Sequence, residues 1–229
     1  MMEPIQFHFN LFREHCYLLK DSGANVAIID PGACSDSEQQ RLTDALEQGG
    51  LHPVAILLTH AHFDHIYAVK LLQDRYNIPV YMHPDEIQTI EDAKINAPRF
   101  GMPVPDCSFR STPVSDGETI QAGGLSFEVI TTPGHTPGGV CYLCREHNLI
   151  FTGDTLFAGA IGRTDLNGGD YDKEIVSIMD KLMALDSGLV VYPGHGCYSS
   201  IGYERTNNPF LEPFNNREET FAQAGISDD

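Results

Sequence analysis

In the run Thr59-His60-Ala61-His62-Phe63-Asp64-His65, four side chains able to bind a metal fall within six residues. Imidazole nitrogens and carboxylate oxygens at that density suit a divalent ion, with zinc, iron and manganese all accepted by such donors. Alternate residues of an extended chain point to one side, so His60 and His62 are expected to grip one ion. Asp64 and His65 follow, where the chain is expected to turn into a helix, and can reach a second ion nearby. A metal pair about 3.5–4 Å apart is a standard hydrolytic device. The helical zinc motif His-Glu-x-x-His does not occur, which excludes that kind of metalloprotease.

Four ligands cannot hold a pair, and three further positions supply the rest. His135 follows Pro133-Gly134, Asp154 follows Thr152-Gly153, and His195 follows Pro193-Gly194. Each stands at the end of an apolar run and is reached through a glycine, which lets the backbone turn sharply and approach closely. Taken singly, a histidine is usually a surface or satisfied core group, and Gly-Asp is usually a turn. The dense run at 59–65, in a chain with ten histidines, makes these three the expected completion. His8, His15, His52, His83 and His147 lack that context and read as structural or surface groups, although His83 also ends an apolar run.

The elements that must position these residues are legible as short apolar runs at 26–30, 54–59, 80–82, 125–130, 139–144, 149–152 and 189–192. Rich in Val, Ile, Leu, Phe and Tyr, they carry the pattern of buried strands. Helical spacing marks 37–48, stopped by Gly49-Gly50, then 66–76 through Ile66, Val69, Leu72 and Tyr76. The stretch 172–185 carries the clearest apolar stripe, through Ile175, Ile178, Met179, Leu182 and Leu185. A mixed α/β fold with helix-covered sheets follows. Residues 97–113, rich in proline and aromatics, read as a loop beside a site. No repeat or linker divides the chain, so a single domain over 1–229 is expected.

A hydrophobic share of 41% is ordinary for a globular protein. No stretch approaches the ~20 apolar residues of a membrane span. The net charge of −18 opposes broad contact with nucleic-acid phosphates. The start Met1-Met2-Glu3-Pro4-Ile5 lacks a basic segment followed by an apolar one. The expectation is a cytoplasmic protein with no nucleic-acid or membrane partner, whose six cysteines are free thiols. Cys141 and Cys144 sit three apart on an expected strand, so they face opposite sides and read as core residues rather than a chelate.

Together these residues resemble the metallo-β-lactamase superfamily, which implies a four-layer αβ/βα sandwich with metals at one rim. The likeness runs from Ile28-Ile29-Asp30-Pro31-Gly32 to His195 and beyond, through Pro133-Gly134-His135-Thr136-Pro137-Gly138-Gly139, Phe151-Thr152-Gly153-Asp154-Thr155 and Tyr192-Pro193-Gly194-His195-Gly196. Within it the chain looks most like hydroxyacylglutathione hydrolases (glyoxalase II), in short forms without the helical C-terminal domain. Gly162-Arg163-Thr164-Asp165 and Glu204-Arg205-Thr206-Asn207-Asn208-Pro209-Phe210 carry that narrower likeness. The resemblance implies that His60, His62 and His135 hold one metal, that Asp64, His65 and His195 hold the other, that Asp154 bridges them, and that Asp30 supports from behind. Full-length enzymes of this type follow the motif with a glycine pair, where Ile66-Tyr67-Ala68 stands here.

The expected cofactor is a pair of divalent ions, zinc first, with iron or manganese as alternatives. The expected reaction is attack of a metal-bridging hydroxide on a small-molecule thioester or ester such as S-lactoylglutathione. Asp64 and Asp154 are the catalytic carboxylates, Asp64 as a proton relay. Arg163, Tyr171 and Asn208 are candidate substrate contacts. A mononuclear non-heme iron persulfide dioxygenase, using His60, His135 and Asp154, is the first alternative, and a lactonase or other ester hydrolase the second. A β-lactamase is disfavoured because Asp154 stands where a bridging carboxylate is wanted. A non-catalytic zinc protein is disfavoured because structural sites are closed and often rich in cysteine.

Overall fold

Along Cys16-Tyr17-Leu18-Leu19 successive side chains enter two different interiors: Cys16 and Leu18 join one buried cluster, Tyr17 and Leu19 another. The period of two that a strand imposes thus builds a sheet buried on both faces. In the computed structural model, which describes residues 3–212, that sheet joins β1 (Ile5–Phe9), β2 (Glu14–Lys20), β3 (Asn25–Ile29), β4 (His52–Leu57), β5 (Val80–Met82) and β6 (Ser111–Pro113) in sequence order. β1 to β3 pair antiparallel, and β3 to β6 run parallel. Parallel neighbours need crossovers, and helices supply them: α1 (Asp36–Gln48), α2 (Phe63–Ile66), α3 (Val69–Tyr76) and α4 (Ile87–Arg99). Ser35 and Glu38 form a capping box that starts α1, and Gly49 closes it.

The second half repeats the plan. β7 (Thr119–Ala122), β8 (Leu125–Thr131), β9 (Val140–Cys144) and β10 (Leu149–Gly153) are followed by a small ribbon, β11 (Leu156–Phe157) with β12 (Ala160–Ile161). Then come α5 (Tyr171–Val176), a π-helical segment Ser177–Leu182, β13 (Val190–Pro193), β14 (Ser199–Ser200) and α6 (Ile201–Asn207). The second sheet runs β14-β13-β10-β9-β8-β7.

Three cores stack these layers. Leu42 and Leu46 of α1, Val69 and Leu72 of α3 and Ala93 and Ala97 of α4 pack on Leu18, Val26, Ile28 and Ile56 of the first sheet. Between the sheets, Tyr17, Leu19, Ala27, Ile29 and Leu57 meet Phe127, Val129, Tyr142 and Phe151. Outside the second sheet, Cys141, Leu143, Ile150 and Val191 carry Ile175, Ile178, Leu182 and Ile201. The order helix, sheet, sheet, helix is the αβ/βα sandwich that the family resemblance implies. Cys141 and Cys144 lie in different cores, as expected of strand residues three apart, and both are free thiols whose pKa burial raises to about 12. Among the described residues no helix is long and apolar enough to cross a membrane.

Several elements differ from expectation. The β1–β2 hairpin was not foreseen, because Glu14 and His15 make the start of a buried strand look polar; both are buried. The expected helix 66–76 breaks at Tyr67-Ala68, where the Ala68 amide donates to the Pro31 carbonyl at 2.9 Å instead of extending the helix. The expected helix 172–185 starts as α5 but widens into the π-helical segment, with Met183 N–H donating five residues back to Ile178. Of the expected loop 97–113, the first residues finish α4 and Ser111–Pro113 forms β6.

The C-terminal ends of β8, β10 and β13 open on one rim of the second sheet, since β10 is parallel to β13 and both β8 and β10 are antiparallel to β9. Val140 N–H donates to the Thr59 carbonyl at 2.9 Å, and His15 N–H to the Gly194 carbonyl at 2.8 Å. These bonds lock the segment after β4, and the start of β2, to that rim.

Candidate metal centre

All seven residues predicted as ligands come together at this rim. His60, Ala61 and His62 continue beyond β4, with His62 extended, and Asp64 and His65 occupy the short helix α2. His135 follows β8, Asp154 follows β10, and His195 follows β13. One ligating atom each from His60, His62 and His135 lies within 4.8 Å of the others, and the same holds for Asp64, His65 and His195. Asp154 faces both trios: Oδ2 is 3.6 Å from His135 Nε2 and 3.6 Å from His195 Nε2, and Oδ1 is 3.5 Å from His65 Nε2.

Glycine is required for this approach. Gly153 has φ +49°, and a Cβ there would stand 2.2 Å from Thr59 Oγ1. A Cβ on Gly194 would stand 2.3 Å from Asp154 Oδ1.

Each ring except His62 has one nitrogen anchored to the protein and the other turned inward. His60 Nδ1 lies 3.1 Å from Thr59 Oγ1, and His65 Nδ1 lies 3.2 Å from Asp30 Oδ2. His135 Nδ1 lies 2.8 Å from the Arg163 carbonyl, and His195 Nδ1 lies 3.1 Å from the Phe12 carbonyl. Such anchoring selects the tautomer whose Nε2 is free for a metal. Asp30 also accepts from Thr59 N–H at 2.8 Å and from Thr59 Oγ1 at 2.6 Å. His62 turns Nδ1 towards His135 Nε2, 2.9 Å away.

The test of fit is what lies unpartnered. His60 Nε2, His65 Nε2 and Asp154 Oδ1 are buried and make no hydrogen bond. Native proteins rarely leave buried polar atoms so, and nitrogen and oxygen donors converging on one spot are what a divalent ion satisfies. The residues present fit a metal pair.

The electrostatics favour ligation at His60 and His62 and hold His65 beside the carboxylates. Burial, reinforced by neighbouring imidazoles, pushes the His60 pKa well down and that of His62 to about 3, so both are neutral and ready to ligate. Burial would also neutralise His65, yet Asp154, Asp64 and Asp30 outweigh it and raise its pKa. Burial likewise opposes charge on Asp64, but the imidazoles of His65 and His195 hold its carboxyl below the usual range.

Three buried carboxylates with no sequence signal lie near the rim, and two of them bond to it. Glu86 Oε2 accepts from Ala61 N–H at 2.7 Å and its Oε1 from Gly138 N–H at 2.9 Å. Glu174 Oε2 accepts from His135 N–H at 2.8 Å, and burial raises its pKa to about 8. Glu14 is buried beside Gly32, and burial pushes its carboxyl well up. Of the candidate substrate contacts, Arg163 lines a cavity of about 260 Å³ that opens onto His62, Asp64, Asp154 and His195. Tyr171 does not line it, and Asn208 is buried, donating to the Ala160 carbonyl and Glu204. His83 accepts from Asp85 N–H at 3.3 Å and caps a short turn.

Residues 10–195 match the metallo-beta-lactamase superfamily, and the chain belongs to it. It is a metallo-hydrolase of that superfamily, and the fold implies divalent metal ions. Hydroxyacylglutathione hydrolase GloC of Haemophilus influenzae is 38% identical over 206 residues, covering 87% of this chain and 93% of that protein. The crystal structure of the BLEG-1 B3 metallo-beta-lactamase superposes with a TM-score of 0.84 at 37% identity, covering 91% of this chain and 99% of that one. TTHA1623, solved in a di-iron-bound form, gives 0.81 at 36% identity, covering 92% of this chain and all (100%) of that one.

Proposed function

We propose that the chain is a binuclear hydrolase of small-molecule thioesters. The observation that carries this reading is the pair of ligand trios with the Asp154 carboxylate facing both. His60, His62 and His135 would hold one metal and Asp64, His65 and His195 the other, with Asp154 placed to serve both. A mononuclear site built on His60, His135 and Asp154 would leave His65 Nε2 buried without a partner. The donor set suits zinc and equally iron, the metal named for TTHA1623.

Bound, such a pair supplies Lewis acidity and lowers the pKa of a coordinated water to about 7. The chain's own groups do the rest. Thr59, Asp30 and the Arg163 and Phe12 carbonyls fix the imidazoles, so the charge that stabilises the reacting carbonyl is preorganised. Asp64 Oδ2, 3.4 Å from His195 Nε2 at the cavity wall, is placed to take a proton released during attack. A thiol of pKa about 8.5 departs without a dedicated acid. The likeness to GloC supports S-lactoylglutathione as the thioester to try first.

The test pairs elemental analysis of the purified protein with hydrolysis of S-lactoylglutathione. About two metals per chain and thioester cleavage are expected, with cleavage lost on chelation and restored on adding metal back. One iron per chain, oxygen uptake with glutathione persulfide and no cleavage would replace the hydrolase with a dioxygenase. The likeness to BLEG-1 favours one second reading, β-lactam hydrolysis, which a chromogenic cephalosporin separates.

A further inference from the structure

Beside the ligands the cavity is walled by rings rather than charges. Phe12, from the β1–β2 turn, meets Phe63 of α2 edge-on at 5.4 Å and Phe100, at the end of α4, edge-on at 5.7 Å. Phe63 and Phe100 lie 5.7 Å apart. Three elements distant in sequence therefore build one aromatic surface, and Leu166 lines the same cavity. Phe63 is 7% exposed and anchors the group, whereas Phe12 and Phe100 keep 38% and 47% of their surface open. Apolar rings left open at the mouth of a catalytic cavity mark a surface that a ligand covers.

The polar side of the cavity is sparse. Arg163 is its one Arg or Lys side chain among the described residues, and Asp165 engages that guanidinium through two bonds of 2.8 and 2.9 Å. Asn96 adds an amide. A flat or branched apolar group finds three rings.

We infer that the Phe12–Phe63–Phe100 wall selects the acyl half of the substrate, favouring thioesters whose carbonyl carries an apolar, preferably aromatic, substituent. This rests on the hydrolase reading for its substrate class. Phe63 stands between the ligands His62 and Asp64 in sequence and lines the same cavity as both, so the wall adjoins the ligands directly. The wall acts by differential binding: a substituent that stacks on Phe100 and Phe12 leaves water and fixes the carbonyl over the metal ligands.

The wall can be read without turnover. Titration calorimetry of the metal-loaded protein with acetate, butanoate and 4-phenylbutanoate is expected to show the phenyl compound binding about tenfold more tightly than butanoate. Phe100→Ala, at a half-open position, is expected to reduce that ratio to about threefold or less with metal content retained, and Phe12→Ala to do the same. Equal affinity for butanoate and 4-phenylbutanoate in the unsubstituted protein, or an undiminished ratio in both variants, overturns the inference. The N-acetylcysteamine thioesters of the three acids are then compared by kcat/KM, and the same order is expected. If none is cleaved, and S-lactoylglutathione is not cleaved either, while the phenyl preference in binding persists, the hydrolase reading falls and the wall stands.

Discussion

Asp30 Oδ2 and His65 Nδ1 meet at 3.2 Å behind the site, both side chains almost wholly buried. The contact fixes the His65 tautomer and turns its unpartnered Nε2 towards Asp154. Asp30 adopts φ +46°, a conformation that asparagine also tolerates. Asp30→Asn is therefore expected to fold, but to face the His65 N–H with a competing donor. Metal affinity, measured by competition with a chromophoric chelator, is expected to drop by about 10–100-fold. Unchanged affinity would show that Asp30 does not orient His65.

Asp154 offers one oxygen to His65 and the other to His135 and His195. Asp154→Ala is expected to remove most bound metal and to cut thioester hydrolysis by on the order of a hundredfold or more. Elemental analysis and kinetics report the two effects separately. If both survive, Asp154 does not bridge.

Gly194→Ala would put a methyl group 2.3 Å from Asp154 Oδ1 and 2.8 Å from His65 Cε1. The carboxylate and the ring are the groups free to move. The expected result is a folded protein by circular dichroism with metal affinity reduced roughly tenfold or more. Wild-type affinity would show that the rim is looser than the geometry implies.

His15, on β2, is buried against the end of β13, with Nδ1 3.1 Å from both Tyr17 Oη and the Pro193 carbonyl. Burial is the main cause that lowers its pKa to about 4. The unfolded chain, with a pKa near 6.5, binds the proton that the folded chain refuses, so stability rises with pH across this range. As pH falls from about 6.5 to 4 this group is expected to withdraw stability. The check is Tm against pH for the chelated protein: His15→Gln is expected to flatten the slope in that window. An identical slope would assign the acid sensitivity to other groups.

His60, His62, Asp64 and His65 were legible in sequence because they sit in one local segment, an extended stretch running into a short helix, where spacing alone fixes which way side chains point. Seven of the strands were legible because they form continuous apolar runs, and each is present with its ends shifted by at most two residues. That His135, Asp154 and His195 belong to the same site was an expectation that sequence could only motivate. Parallel pairing of β10 with β13, and the glycines that let their ends approach, decide it in space. Glu14, Glu86 and Glu174 were silent, because a glutamate in sequence reads as solvated and only packing can bury it. The same holds for the aromatic wall: Phe12, Phe63 and Phe100 share no spacing, and they meet because a hairpin turn, a helix start and a helix end converge above one rim. Local chemistry and burial periodicity are properties of the chain, whereas the convergence of distant residues is a property of sheet order and side-chain packing.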